Sequence, residues 1–171
     1  EPASVFRTGA GLGLFVAEDR FDCKYSIKCI ASGLKSPTVA DQAKLKRLGR
    51  YLKEVPVIVW YYDYQSKQDF LTAFSDSDWQ SDVQTRRSTS AGLEMYGSHP
   101  VDTLSGSQET VSLSTAEAEM KATTRVVAGA IQTREVHKAF ELACDILAKT
   151  DSSAGRAMLQ RRGGGKVKHL E

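Results

Sequence analysis

The sequence predicts an α/β fold, a mixed sheet flanked by helices with an N-terminal helical appendage, and three observations carry that prediction. The apolar run Phe70-Leu71-Thr72-Ala73-Phe74 stops on Ser75-Asp76-Ser77-Asp78-Trp79, as a core strand does where it emerges at an edge. A long pattern of period 3.6 runs from Thr115 to about Ala143. A second short apolar run, Ile146 to Thr150, closes on Asp151 and Ser152 before another helical stretch. Strands, helix, strand and helix in that order pack as a sheet with helices against it.

Composition sets the bounds. With 171 residues, 41% of them apolar, the chain can bury a core and is not a disordered chain; it has room for one ordinary domain, or for one small domain and an appendage. The formal charge of +2 says little about partners, but residues 152–171 hold Arg156, Arg161, Arg162, Lys166 and Lys168 against one acid. That excess reads either as a solvated tail or as a surface for a phosphate backbone. Cys23, Cys29 and Cys144 show no paired C-x-x-C spacing, and His99, His137 and His169 are scattered, so neither a disulfide framework nor a zinc site is indicated. A reducing compartment is the simplest setting. Gly9 to Ala17 is apolar but bounded by Arg7 and Glu18-Asp19-Arg20 and far short of a membrane span, so it reads as a buried helix. The Glu-Pro start, in place of Met, reads as a fragment or a processed piece of something longer.

In chain order, helices are predicted over 5–17, 21–34 and 39–53, the last entered through Ser36-Pro37-Thr38. In that helix Leu45, Leu48, Leu52 and Val55 form a stripe, and Lys44, Lys46, Arg47, Arg50 and Lys53 take much of the rest. Its basic face is a solvated side or a nucleic-acid surface. Pro56 ends the helix, and the β-branched and aromatic run Val57 to Tyr62 reads as a strand. Ser66 to Asp69 is the turn into the next strand, Phe70 to Asp76; Ala91 to Gly97 is a third, broken by His99-Pro100. Val101 to Leu104 and Thr110 to Leu113 are read as further strand on either side of a turn at Gly106. The helix from Thr115, with Ala118, Ala122, Val126, Ala130 and Ile131 as its buried stripe, is read as two helices or one kinked at Gly129. A strand over 146–150, a helix over 153–160 and the break Gly163-Gly164-Gly165 complete the chain.

The chemistry lies in the acids. Asp76 and Asp78 alternate onto one face of their strand, and Ser114 with Glu117 three residues on marks a helix start of the capping-box kind. Acids contributed by a strand, a helix and a second strand are what a divalent-metal site for phosphodiester chemistry requires, because hard cations take several oxygen ligands from distant chain positions.

The series Phe74 to Trp79, Thr85-Arg86-Arg87-Ser88-Thr89-Ser90, Val111 to Glu119, Thr150 to Ala154 and Lys166 to Glu171 resembles, in order and spacing, the ribonuclease H region of copia-type LTR retrotransposon Pol polyproteins. A weaker likeness upstream, in Glu18 to Asp22 and Arg47 to Lys53, is to the segment joining reverse transcriptase to ribonuclease H. The resemblance implies a ribonuclease H-like domain over 56–171, truncated at its C-terminal end, after a helical connection segment of reverse transcriptase over 1–55. It implies Asp76, Glu119 and Asp151 as catalytic metal ligands for two Mg²⁺, with Mn²⁺ able to substitute, and Glu171 as a fourth acid. Asp78 is assigned mainly a structural role, Glu117 an outward or helix-start role, and His169 a role as helper of product release. Arg86, Arg87, Arg156, Arg161, Arg162 and Lys168 are the implied contacts to an RNA–DNA hybrid, and the upstream reverse transcriptase region is the implied partner. The setting implied is intracellular, a cytoplasmic virus-like particle or the nucleus, with no membrane. The carboxylates of a polymerase site are absent, so polymerisation is not expected. Leu104, where related sequences carry Trp, and Gly106, in a usually Ser-rich run, leave open a decayed or domesticated form that binds nucleic acid without cutting it.

Overall fold

The computed structural model describes residues 2–160 and divides between Tyr61 and Tyr62 into two compact units. The expected site residues Arg161, Arg162, Lys168, His169 and Glu171 lie outside the described residues.

The first unit is helical: α1 (Pro2–Val16), a 3₁₀ turn (Phe21–Cys23), α2 (Lys24–Ala31) and α3 (Val39–Glu54). Phe6, Ala10, Ala17, Cys23, Ile27, Ile30 and Leu48 make its core, with Leu34, Leu45 and Leu52 packed on it, so Leu45, Leu48 and Leu52 of the expected stripe face inward, while Val55 lies past the end of α3 and outside that core. Thr38 caps α3 in a capping box with Asp41. At the far end of α3 the guanidinium of Arg20 donates to Asp22 and to the Val55 carbonyl, which satisfies a helix-end acceptor. The Val57–Tyr62 run is not a strand. β-Propensity makes a strand only where a ladder forms, and among the described residues this run pairs with none of the four strands of the sheet described below.

The second unit is built on a sheet in the order β3-β2-β1-β4. Its strands are β1 (Phe70–Asp78), β2 (Thr89–Tyr96), β3 (His99–Ser107) and β4 (Asp145–Thr150), with α4 (Thr115–Ala139) and α5 (Ser153–Leu159) as helices. β1 pairs antiparallel with β2 and parallel with β4, so the sheet is mixed and flanked by helices, the ribonuclease H-like arrangement. His99-Pro100 does not break the sheet but starts β3, an edge strand where a missing donor is tolerated. Gly97, with φ of 59°, makes the tight turn that precedes it. β3 runs through Gly106, and 110–113 is not strand.

α4 lies on the sheet through Ala118, Ala122, Val126 and Ala130, against Leu71, Ala73 and Tyr96. Ile131 is exposed and does not belong to the stripe. The helix is continuous through Gly129. That glycine makes room for a carboxylate, since a Cβ there would stand 2.8 Å from Glu94 Oε1.

Glu94 is 4% exposed on β2, and burial, with repulsion from Asp102 added, pushes its carboxyl above the usual range while Thr133 offsets part of the effect. An acid whose folded pKa exceeds its unfolded value holds a proton more tightly when folded. The folded state therefore loses stability as pH climbs past about 4.3, the unfolded value. Glu94→Gln is expected to remove that slope: the urea midpoint of the variant matches wild type near pH 4 and exceeds it at pH 7. A wild-type midpoint equal to or above that of the variant at pH 7 would contradict this.

Candidate metal centre

Two elements of backbone geometry bring the acids together. In the parallel ladder Ser75 pairs with Thr150, so the next residue on each strand, Asp76 and Asp151, emerges at the same end of the sheet. Ligand sites in such sheets form at the carboxyl ends of the strands. α4 supplies the third acid from its second turn. Ser114 caps the helix by accepting from the Glu117 N–H. The Thr123 hydroxyl bonds the Glu119 carbonyl at 2.9 Å and Ser75 Oγ at 2.8 Å, which ties this turn to β1.

Asp76, Glu119 and Asp151 each offer a carboxylate oxygen within 4.8 Å of the others. Ion–oxygen distances of about 2.0 to 2.6 Å place ligands of one cation no more than about 5 Å apart, so this spacing fits shared divalent cations. Asp76 and Asp151 are exposed, whereas Glu119 is 8% exposed and its Oε2 is buried with no hydrogen-bond partner. Burial raises the Glu119 pKa, the carboxylates of Asp76 and Asp151 raise it further, and Ser77 acts the other way. Clustered hard oxygen donors, from carboxylates of which one also carries a buried oxygen without a hydrogen-bond partner, form a site that divalent cations would satisfy.

The remaining candidates are placed differently. Asp78 ends β1 opposite Thr89, exposed and outside the acidic group. Glu117 does not point outward: it is 1% exposed, accepts from the Leu113 N–H and pairs with Lys121 at 2.7 Å. It is a helix-start partner, as the capping spacing suggested, although its carboxylate reaches one residue beyond the cap itself. Arg86 and Arg87 lie exposed in the loop between β1 and β2, where Arg86, at φ of 57°, donates to Gln80 Oε1. Arg156 is exposed on α5.

One residue of the site gave no signal of its role in the sequence. A Cβ on Gly155 would lie 2.8 Å from Glu119 Cβ, so only glycine lets α5 approach the buried acid this closely.

Among curated proteins, the chain is 34% identical over 119 residues to the uncharacterized mitochondrial protein AtMg00810 of Arabidopsis thaliana, a match covering 70% of this chain and 49% of that protein. It is 30% identical over 109 residues to the retrovirus-related Pol polyprotein from transposon RE1 of the same plant, covering 63% of this chain and 7% of the polyprotein. The Pol polyprotein from transposon RE2 matches to the same extent. The chain thus spans about half of one relative and a small part of the others. No family model matches the sequence, and no solved structure matches it. Among the described residues no helix is long and apolar enough to cross a membrane.

Proposed function

We propose, on the premise that this chain is related to the Pol polyproteins of copia-type retrotransposons, that it is a ribonuclease H cutting the RNA strand of RNA–DNA hybrids during reverse transcription. The observation that carries this reading is the convergence of Asp76, Glu119 and Asp151. Asp76, Glu119 and Asp151 would hold Mg²⁺ ions, with Mn²⁺ as a substitute, and these would supply an activated water and charge stabilisation on the leaving oxygen.

The protein's own part is to place and neutralise. Asp76 and Asp151, exposed at the strand ends, would face the scissile phosphate, while Glu119 would anchor the ions from behind, with its negative charge favoured once cations offset the neighbouring carboxylates. Arg86, Arg87 and Arg156, all exposed, would meet the phosphate backbone, and contacts to 2′-hydroxyls would select RNA. The upstream reverse transcriptase region of the same polyprotein would be the partner, in an intracellular particle or the nucleus.

The test is incubation of the purified chain with a labelled hybrid. Mg²⁺-dependent loss of the RNA strand, stopped by a chelator, is expected; an intact hybrid with every divalent ion tried would overturn the reading.

A neighbouring position yields a second expectation. Gly155→Ala sets a new methyl against the Cβ of Glu119, an atom that cannot swing aside. Divalent affinity measured by calorimetry with Mn²⁺ should fall about tenfold, as it does when supports of a metal ligand are disturbed. Unchanged affinity would show that α5 yields without disturbing Glu119.

A further inference from the structure

We propose that Gln108 is a positioning residue of this centre: its buried amide holds the first turns of α4 against the end of the sheet and so sets where the Glu119 carboxylate stands relative to Asp76 and Asp151. This inference rests on the reading of those three acids as ligands of divalent cations.

Gln108 follows β3 directly and is 5% exposed. Its backbone N–H donates to the Ser88 carbonyl at 2.8 Å. Its side-chain Nε2 donates to Ser90 Oγ at 3.1 Å and to the Ala118 carbonyl at 2.9 Å, and its Oε1 accepts from Ser112 Oγ at 2.7 Å. A carbonyl only accepts, so the amide nitrogen must face Ala118, and the orientation of the group is set. One side chain thereby joins β2, the loop before α4 and α4 itself at the residue next to Glu119. The end of β1 is tied to the same cluster. Trp79 Nε1 donates to the Ser112 carbonyl at 3.0 Å, and the Gln80 N–H donates to Ser88 Oγ at 3.1 Å.

Ser88, Ser90 and Ser112 are at most 1% exposed. Water cannot readily replace a bond lost there, so the cluster acts as a rigid brace between the strand that bears Asp76 and the helix that bears Glu119. Ion–oxygen distances tolerate only a few tenths of an ångström. A small slide of the helix turn is therefore enough to spoil ligation.

The experiment is calorimetric titration of the full chain with Mn²⁺, well below the unfolding temperature. It compares wild type, Gln108→Met, Ser112→Ala and, as a stability control, Cys144→Ala before the start of β4, the end of that strand remote from Asp151. Gln108→Met keeps the volume and loses all three amide bonds; its affinity should fall about tenfold, and that of Ser112→Ala by less in the same direction. Cys144→Ala should lose stability and keep its affinity, a separation that a merely structural role for Gln108 would not produce. Wild-type binding with unchanged affinity in both polar variants overturns the inference and leaves the metal centre standing. A wild type that binds no Mn²⁺ overturns the metal centre and the inference with it. Should Gln108→Met fail to fold, Ser112→Ala and Ser90→Ala carry the same expectation, and unchanged affinity in both overturns it.

Discussion

Asp76→Asn is expected to abolish hybrid cleavage, by about three orders of magnitude or more, while leaving hybrid binding within about twofold. Asn keeps the shape and one oxygen of the side chain but removes a charge from a cluster whose oxygens lie within 4.8 Å of one another. The loss would fall on the ions and not on the backbone contacts, which on the proposed reading would come from exposed cations such as Arg86, Arg87 and Arg156. Removing one carboxylate also relieves repulsion on Glu119, so the variant should be no less stable than wild type. The measurement pairs cleaved product in Mg²⁺ with bound fraction in Ca²⁺ on one duplex, across a salt series. Binding should weaken as salt rises in both proteins alike. Equal cleavage by the two would remove Asp76 from the site; parallel loss of cleavage and binding would mean that the acid serves the fold or the interface.

Gly92→Ala is expected to cost the second unit about 2 to 3 kcal/mol, the upper part of the range for overpacking a well-filled core. A Cβ at that position would stand 2.4 Å from Val126 Cγ2, 3.2 Å from Val126 Cγ1 and 3.3 Å from Leu104 Cβ. Val126 is 3% exposed in the middle of α4 and has nowhere to turn. The helix must lift or the strand must bend. Urea unfolding should show a lower midpoint with an unchanged slope, and Val126→Ala added to Gly92→Ala should recover much of the loss, a coupling that two independent sites would not show. Additive losses in the double variant would mean that the strain is taken up elsewhere.

β1, β4, α4 and α5 were legible because each carries its own local signal. β1 and β4 are apolar runs that stop on acid and serine, α4 has a 3.6-residue stripe and a cap at Ser114, and Ser152 caps α5 by accepting from the Gly155 N–H. The helices of the first unit were legible for the same reason. The Val57–Tyr62 run misled because its propensity is as strong as that of β1, yet propensity without ladder pairing makes no strand, and this run pairs with none.

The chain by itself determined which residues could do chemistry, since carboxylates after apolar runs and at a helix start are visible in one dimension. Only the tertiary structure decided which of them meet. The register of Ser75 with Thr150 sets Asp76 beside Asp151, and the seat of α4 on β1 and β2 brings in Glu119 and leaves Asp78 out. Burial was decided there too. Glu94, Gln108 and Ser112 read as ordinary polar residues in the sequence and Glu117 as a helix-start acid, but strand pairing and helix packing close over them and turn each into a buried group that must be bonded, neutralised or strained. The physical reason is that helix and turn signals are energies of neighbours in sequence. Ladder register, burial and the convergence of charges are energies of neighbours in space, and these exist only once the chain has closed.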